Sequence, residues 1–321
     1  MNRREFLQAT AFAACVSPLA ALAADVKPRA SLAREVGITT GSFMPNIRAG
    51  KFRLLDLPHI MRDELGMRVI DLMTATLESL EPDYLERLRA EAERAGCVLT
   101  NLKMNQPGLE MASPVADTRR KALDEYKRTI DAAARLGVRW VRPLPGNQKP
   151  DLAILAASYR ELIDYGAPRG ITLLVENFGW MQSDPEALPA VVKAAGQGCA
   201  AQPDTGNWAN NEVRYPGLAK AFPLAVTCDF KAKKMGPDGA HADYDLKRCF
   251  DIGWNAGFRG PWCIEHPNPD LKELWHEMRW LRDRLQEWMA GRGGKRVEGS
   301  ESRLQAAGRG HESTQKNFLR F

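Results

Sequence analysis

The sequence predicts a single (β/α)8 TIM barrel, and three observations carry that prediction. From Glu35, short apolar, β-branched runs alternate with longer amphipathic helical stretches. Eight such strand–helix units fit within residues 35–290, the size of a (β/α)8 barrel. The turn after the first strand, Thr39-Thr40-Gly41-Ser42-Phe43, lacks the GxGxxG phosphate loop of an open doubly wound sheet.

The strands are expected at Glu35–Thr40, Arg68–Met73, Cys97–Lys103, Val138–Pro143, Ile171–Glu176, Cys199–Pro203, Leu224–Lys231 and Pro261–Glu265. Helices should start near Leu54, Asp83, Asp117, Asp151, Pro185, Glu212 and Tyr244, with a last one over Asp270–Ala290. Acidic first turns favour the positive end of each helix dipole. Gly66, Gly96, Gly137, Gly170 and Gly257 supply the left-handed stops. Trp275, Trp280 and Trp288 on the last helix read as packing against the barrel, and His59 and His276 as structural.

The flanking segments differ from this body. Asn2-Arg3-Arg4-Glu5-Phe6-Leu7 precedes an alanine-rich apolar run to Ala24 that is short for a membrane span. Residues 1–24 therefore read as a twin-arginine signal peptide, cleaved after Ala21-Leu22-Ala23. That implies the Tat export machinery as a partner, a periplasmic location and no lasting membrane insertion. Residues 291–321, rich in Gly, Arg, Glu and Ser, read as a disordered tail, leaving 25–290 for the barrel. The formal charge of +5 comes from these two ends. Residues 25–290 hold 36 basic and 36 acidic residues, and a neutral body lacks the basic footprint of a nucleic-acid binder. Beyond Cys15, the cysteines show no CxxC spacing and sit mostly beside apolar runs, as small buried hydrophobes do.

In a parallel barrel, side chains at the C-terminal strand ends converge on one site. The last four strands end in Glu176-Asn177, Gln202-Pro203-Asp204-Thr205-Gly206-Asn207, Asp229-Phe230-Lys231 and Glu265-His266. Four carboxylates brought together out of water repel one another, and a divalent cation removes the conflict. Oxygen-only ligands suit Mg, Mn or Ca. Glu176, Asp204, Asp229 and Glu265 are accordingly the candidate metal ligands. Lys103, Asn105, Arg142, Trp208, His241 and His266 are the candidate substrate contacts, with His266 on the strand face opposite Glu265. Phe178 and Trp180 offer rings suited to sugar C–H faces.

Val175-Glu176-Asn177, Pro203-Asp204-Thr205-Gly206-Asn207, the Asp229–Lys231 strand end and Gly257-Phe258-Arg259-Gly260-Pro261-Trp262-Cys263-Ile264-Glu265-His266 resemble the xylose isomerase-like barrel superfamily over residues 35–288. The resemblance implies a divalent metal held by Glu176, Asp204, Asp229 and Glu265. Epimerases of that group place His two residues before the lysine; here the position is Asp229, which favours Mn or Mg over Zn. The resemblance also implies that Glu176 and Glu265 form an acid/base pair, with Lys231 stabilising enediolate charge. The expected activity is that of an exported metal-dependent sugar isomerase or epimerase, moving a proton next to a carbonyl. A lyase or hydrolase acting on 3-keto-glycosides, or a non-catalytic sugar-binding barrel, remains open on the same scaffold. An endonuclease IV-like phosphodiesterase needs more histidines than the five present.

Overall fold

Eight parallel strands wrap around a central axis with helices outside them. The structure is a computed structural model that describes residues 31–236 and 239–292. The expected signal at 1–24, Cys15 and the tail beyond Arg292 lie outside the described residues. All strands and helices belong to one unit that begins at Ala33.

The strands are β1 (Val36–Thr39), β2 (Val69–Met73), β3 (Val98–Met104), β4 (Trp140–Pro143), β5 (Thr172–Val175), β6 (Cys199–Ala201), β7 (Cys228–Lys231) and β8 (Trp262–Glu265). Their order is β6-β5-β4-β3-β2-β1-β8-β7, all parallel. The seam between β6 and β7 closes through bridges at Ala201–Ala225 and Asp204–Asp229, so the α/β sheet completes a TIM barrel. That seam is completed by irregular backbone: Thr205 N–H donates to the Asp229 carbonyl at 2.9 Å, and Asp229 N–H to the Pro203 carbonyl at 3.0 Å.

The helices are α1 (Met44–Arg48), α2 (Leu57–Ile60), α3 (Pro82–Arg94), α4 (Ala116–Leu136), α5 (Leu152–Gly166), α6 (Ala187–Ala195), α7 (Asn211–Ala221), α8 (Leu246–Asn255) and α9 (Leu271–Gly291). Asp151, Asn210, Asp245 and Asp270 cap α5, α7, α8 and α9 with side-chain oxygens on first-turn N–H groups. Two expectations are corrected. The helix expected from Leu54 is a chain of short turns, a 3-10 turn, α2 and a π turn, stopped by Gly66 at φ 59°. The seventh strand starts at Cys228 rather than Leu224, because Phe222-Pro223-Leu224 forms a 3-10 turn after α7.

The core lies between strands and helices. Phe222, Phe230, Phe250, Phe258 and Trp262 form one aromatic cluster there, with Trp288 of α9 against Phe230 and Phe250. Inside the barrel the filling is different. Barrel interiors are usually stacked branched aliphatics, but here Asp71, Asn101, Lys103, Gln202 and Asp229 are buried together. No described helix is long and apolar enough to cross a membrane.

Candidate active site

Each group at the barrel mouth is placed by the two-residue alternation of a strand. Asp229 and Lys231 on β7 share the inward face, as do Asn101 and Lys103 on β3. Parallel register then sets Lys103 beside Arg142, and Lys231 beside Glu265. The β5 and β6 ends fold back as loops. Asn177 ties them together, accepting from Asp204 N–H at 2.7 Å and donating to the Asp204 and Asn207 carbonyls. Asp204 Oδ1 in turn accepts from the backbone N–H groups of Gly206 and Asn207, leaving Oδ2 for the site.

The result is an interleaved set of charges. Lys103 Nζ, with its side chain 0% exposed, lies 2.5 Å from Asp229 Oδ1, 2.9 Å from Thr39 Oγ1 and 3.4 Å from Glu265 Oε2. Lys231 Nζ lies 2.5 Å from Glu265 Oε1 and 3.2 Å from Asp204 Oδ2, and donates to Asn207 Oδ1. Arg142 Nε stands 2.8 Å from Glu176 Oε2, a close ion pair whose alignment falls short of a hydrogen bond. Asn207 donates to the other oxygen of Glu176 at 2.8 Å. Below this layer, the Gln202 carboxamide bridges Asp71, Asn101 and Asp229.

Burial and charge pull these carboxyls in opposite directions. Desolvation raises Asp71 to about 6, against the pull of Lys103 and the Asn101 hydrogen bond. It likewise raises Asp204 to about 6, against Lys231. Asp229 is pushed well above the ordinary carboxylate range by burial, only partly offset by Lys103. Burial also pushes Glu265 upward, but Lys231 and Lys103 overcome it and hold this carboxyl down at about 2. Both lysines are raised above their ordinary value, because neighbouring carboxylates outweigh their own desolvation.

One oxygen from each of Glu176, Asp204 and Asp229 lies within 4.8 Å of the others. That spacing suits a hard divalent ion with ligand distances of ~2.0–2.6 Å. The charges suit it too. Among the described residues, Asp71, Glu176, Asp204, Asp229 and Glu265 face Lys103, Arg142 and Lys231, so the fully ionised cluster is two positive charges short. The buried acidic triad can therefore bind a metal. Glu265, the fourth expected ligand, is absent from that triad and engaged by the two lysines instead; its side chain is 16% exposed.

Several expected substrate contacts sit elsewhere. Lys103 is buried under the carboxylates rather than at the rim, because it neutralises Asp229. Trp208, 4% exposed, is a core residue whose indole fills the space left by Gly217, where a Cβ would come within 2.2 Å of the ring. His266 is buried between the Ala232 carbonyl and Glu277, where it ties β8 to α9. His241 turns to its own loop, accepting from Lys233 N–H at 2.9 Å and packing on Tyr244. Asn105 stays at the end of β3, and Arg142 meets the site through Glu176. Asp71, Asn101 and Thr39 were not singled out from sequence. A carboxylate inside Val69-Ile70-Asp71-Leu72-Met73 was the available signal, since an apolar strand tolerates one only with partners.

A family profile described as "Xylose isomerase-like TIM barrel" matches residues 63–284. Among solved structures, a xylose isomerase-like TIM barrel protein from Mycobacterium smegmatis in complex with magnesium is 18% identical, covering 80% of this chain and 98% of its own, with TM-score 0.56. D-Psicose 3-epimerase from Clostridium cellulolyticum H10, with D-tagatose, is 14% identical over 79% of this chain and 98% of its own, TM-score 0.61. The 3-keto-D-glucoside 4-epimerase from E. coli, in its apo form, is 15% identical over 78% of this chain and 99% of its own, TM-score 0.60. At these identities the likeness is one of fold. No curated protein matches the chain.

Proposed function

The chain belongs to the xylose isomerase-like TIM barrel family, and from that premise we propose that it is a metal-dependent sugar isomerase or epimerase. The observation that carries the reading is the convergence of Glu176, Asp204, Asp229, Lys231 and Glu265, from four consecutive strands, on one mouth of the barrel.

Glu176, Asp204 and Asp229 would hold the ion, with Mn or Mg favoured by their all-oxygen donors. When bound, a divalent ion supplies Lewis-acid polarisation of the sugar carbonyl, which acidifies the adjacent C–H. The chain's own groups do the rest. Glu265 is ionised and can accept the proton, while Glu176, held in orientation by Arg142 and Asn207, takes a proton from solvent and delivers it from the other side. The proton left on Glu265 passes to solvent and resets the pair. Lys231 bridges Asp204 and Glu265, so a short shift of its ammonium towards a developing enediolate oxygen stabilises that charge. The same shift frees Glu265 from a partner that suppresses its basicity, at the moment it must take a proton. Lys103 remains below, fixing Asp229 and steadying Glu265.

The Arg3-Arg4 leader sequence supports export by the Tat machinery to the periplasm, where neutral sugars are the natural substrates. The test is turnover of a panel of ketoses and 3-keto-glycosides by chelated protein before and after Mn or Mg is restored. Metal-restored interconversion of epimers supports the reading. Equal turnover in the presence of chelator removes the metal from it, and binding without turnover leaves a sugar-binding barrel.

A further inference from the structure

We propose that the cleft between the β3–α4 and β4–α5 loops is a subsite for the apolar aglycone of a glycoside, so that the substrate is a substituted sugar rather than a free monosaccharide. This rests on the sugar-site reading above and adds the part of the ligand that the carboxylates do not touch. The cleft has a volume of about 800 Å3, within the range of pockets that enclose drug-sized ligands. Leu109, Pro114, Leu144, Ile154 and Phe178 line it.

Its position ties it to the candidate active site. Gln106 follows Lys103 by three residues, Leu144 follows Arg142 by two, and Phe178 follows Glu176 by two. Two or three residues span at most ~7–10 Å of chain, so the backbone of the cleft wall starts within that reach of the charged strand ends. The wall is fixed: Gly179, at φ 58°, lies so close to Gly146 that a Cβ would meet its carbonyl oxygen at 2.4 Å. Beside it the Lys149 ammonium stands 5.7 Å from the Trp180 ring centroid. Polar side chains, among them Glu110, Asn147, Gln148, Lys149 and Asp151, share the lining with the apolar ones. Of four exposed large hydrophobic residues among those described, Val115 (58% exposed) and Leu152 (40%) each adjoin a cleft-lining residue. A free hexose, whose surface is mostly hydroxyl, gains less from such a wall than an aromatic or aliphatic substituent, which loses apolar area to it.

Calorimetric titration of the full chain with phenyl and methyl 3-keto-glucosides, 3-keto-galactosides and 3-keto-mannosides tests this, with turnover next to the 3-keto carbonyl assayed in the same samples. In at least one pair the phenyl glycoside should bind tenfold or more tighter than the methyl one. Ile154→Trp, which fills the cleft, and Leu109→Ser, which strips its wall, should each shrink that ratio below about threefold and leave methyl glycoside binding unchanged. No phenyl preference in any pair, including no binding by either, overturns the proposal, as does a preference untouched by both variants. A cleft-dependent preference without sugar turnover would keep the subsite and defeat the epimerase reading. Turnover of free ketoses without a preference would do the reverse.

Discussion

Lys103 from β3 and Asp229 from β7 meet across the barrel at 2.5 Å, with both side chains 0% exposed. This ion pair is the hub of a polar interior that also holds Thr39, Asp71, Asn101, Gln202 and Glu265. Its energetic consequence is asymmetric. Removing one partner leaves a charge buried without its counter-ion, whereas removing both removes the desolvation cost as well.

Lys103→Met should therefore destabilise the fold by about 3–5 kcal/mol, through the stranded Asp229 carboxylate. The double variant Lys103→Met/Asp229→Leu should recover most of that loss. Urea denaturation of the four members of the cycle measures the coupling. Additive single and double effects would mean that the pair does not interact.

Asp71 predicts a pH dependence. Its folded pKa of about 6 lies above the ordinary value of 3.8, so between these values the folded state holds the proton and the unfolded state does not. Stability contributed by this group is full below pH ~4 and declines as pH rises towards 6. Asp71→Asn keeps an acceptor for Asn101 and Gln202 and removes the charge. It should be stabilising at pH 7 by up to about 3 kcal/mol and near neutral at pH 4. Parallel stability curves for the two proteins across this window would refute that account.

Gly217 tests how Trp208 is used. An exchange of Gly for Ala inside a helix ordinarily gains about 1 kcal/mol. At Gly217, in α7, the added methyl would lie 2.2 Å from the Trp208 indole, which must move. Gly217→Ala should instead cost about 1–3 kcal/mol by overpacking, read from the thermal midpoint. A raised midpoint would place the indole elsewhere.

The barrel could be read from the sequence because each strand is a local apolar run between acidic helix starts and glycine stops, and these signals act within a few residues. The charged ends of β5 to β8 could be read for the same reason: Glu176, Asp204, Asp229 and Glu265 each follow an apolar stretch. What could not be read is who faces whom. Nothing local says that Lys103 crosses the barrel to Asp229, or that Glu265 spends its charge on lysines while three other carboxylates draw together. Trp208, His241 and His266 follow strand ends as ligand-binding residues do, yet burial and backbone partners occupy all three. Phe178 was visible as an aromatic after a site strand, while the cleft it lines depends on two loops distant in sequence.

Glu176→Gln keeps an acceptor for Asn207 but gives up the charge that faces Arg142 and the acid/base role. Turnover should drop by about 10^2–10^4, the usual contribution of a positioned acid or base, and the unfolding midpoint should fall as well, because the buried Arg142 guanidinium loses its counter-ion. Steady-state kinetics beside a denaturation curve separates the two effects. Full activity in this variant would remove Glu176 from the chemistry.

The most direct measurement of the central claim is solvent isotope incorporation during turnover in D2O, followed by mass spectrometry and NMR of the recovered sugar. Proton transfer by Glu176 and Glu265 predicts one deuterium at the carbon next to the carbonyl in wild-type product, and labelled product forming about 10^2–10^4 times more slowly with Glu176→Gln. Product formed by the wild-type enzyme with only its original hydrogen at that carbon would contradict the account, pointing to a hydride shift.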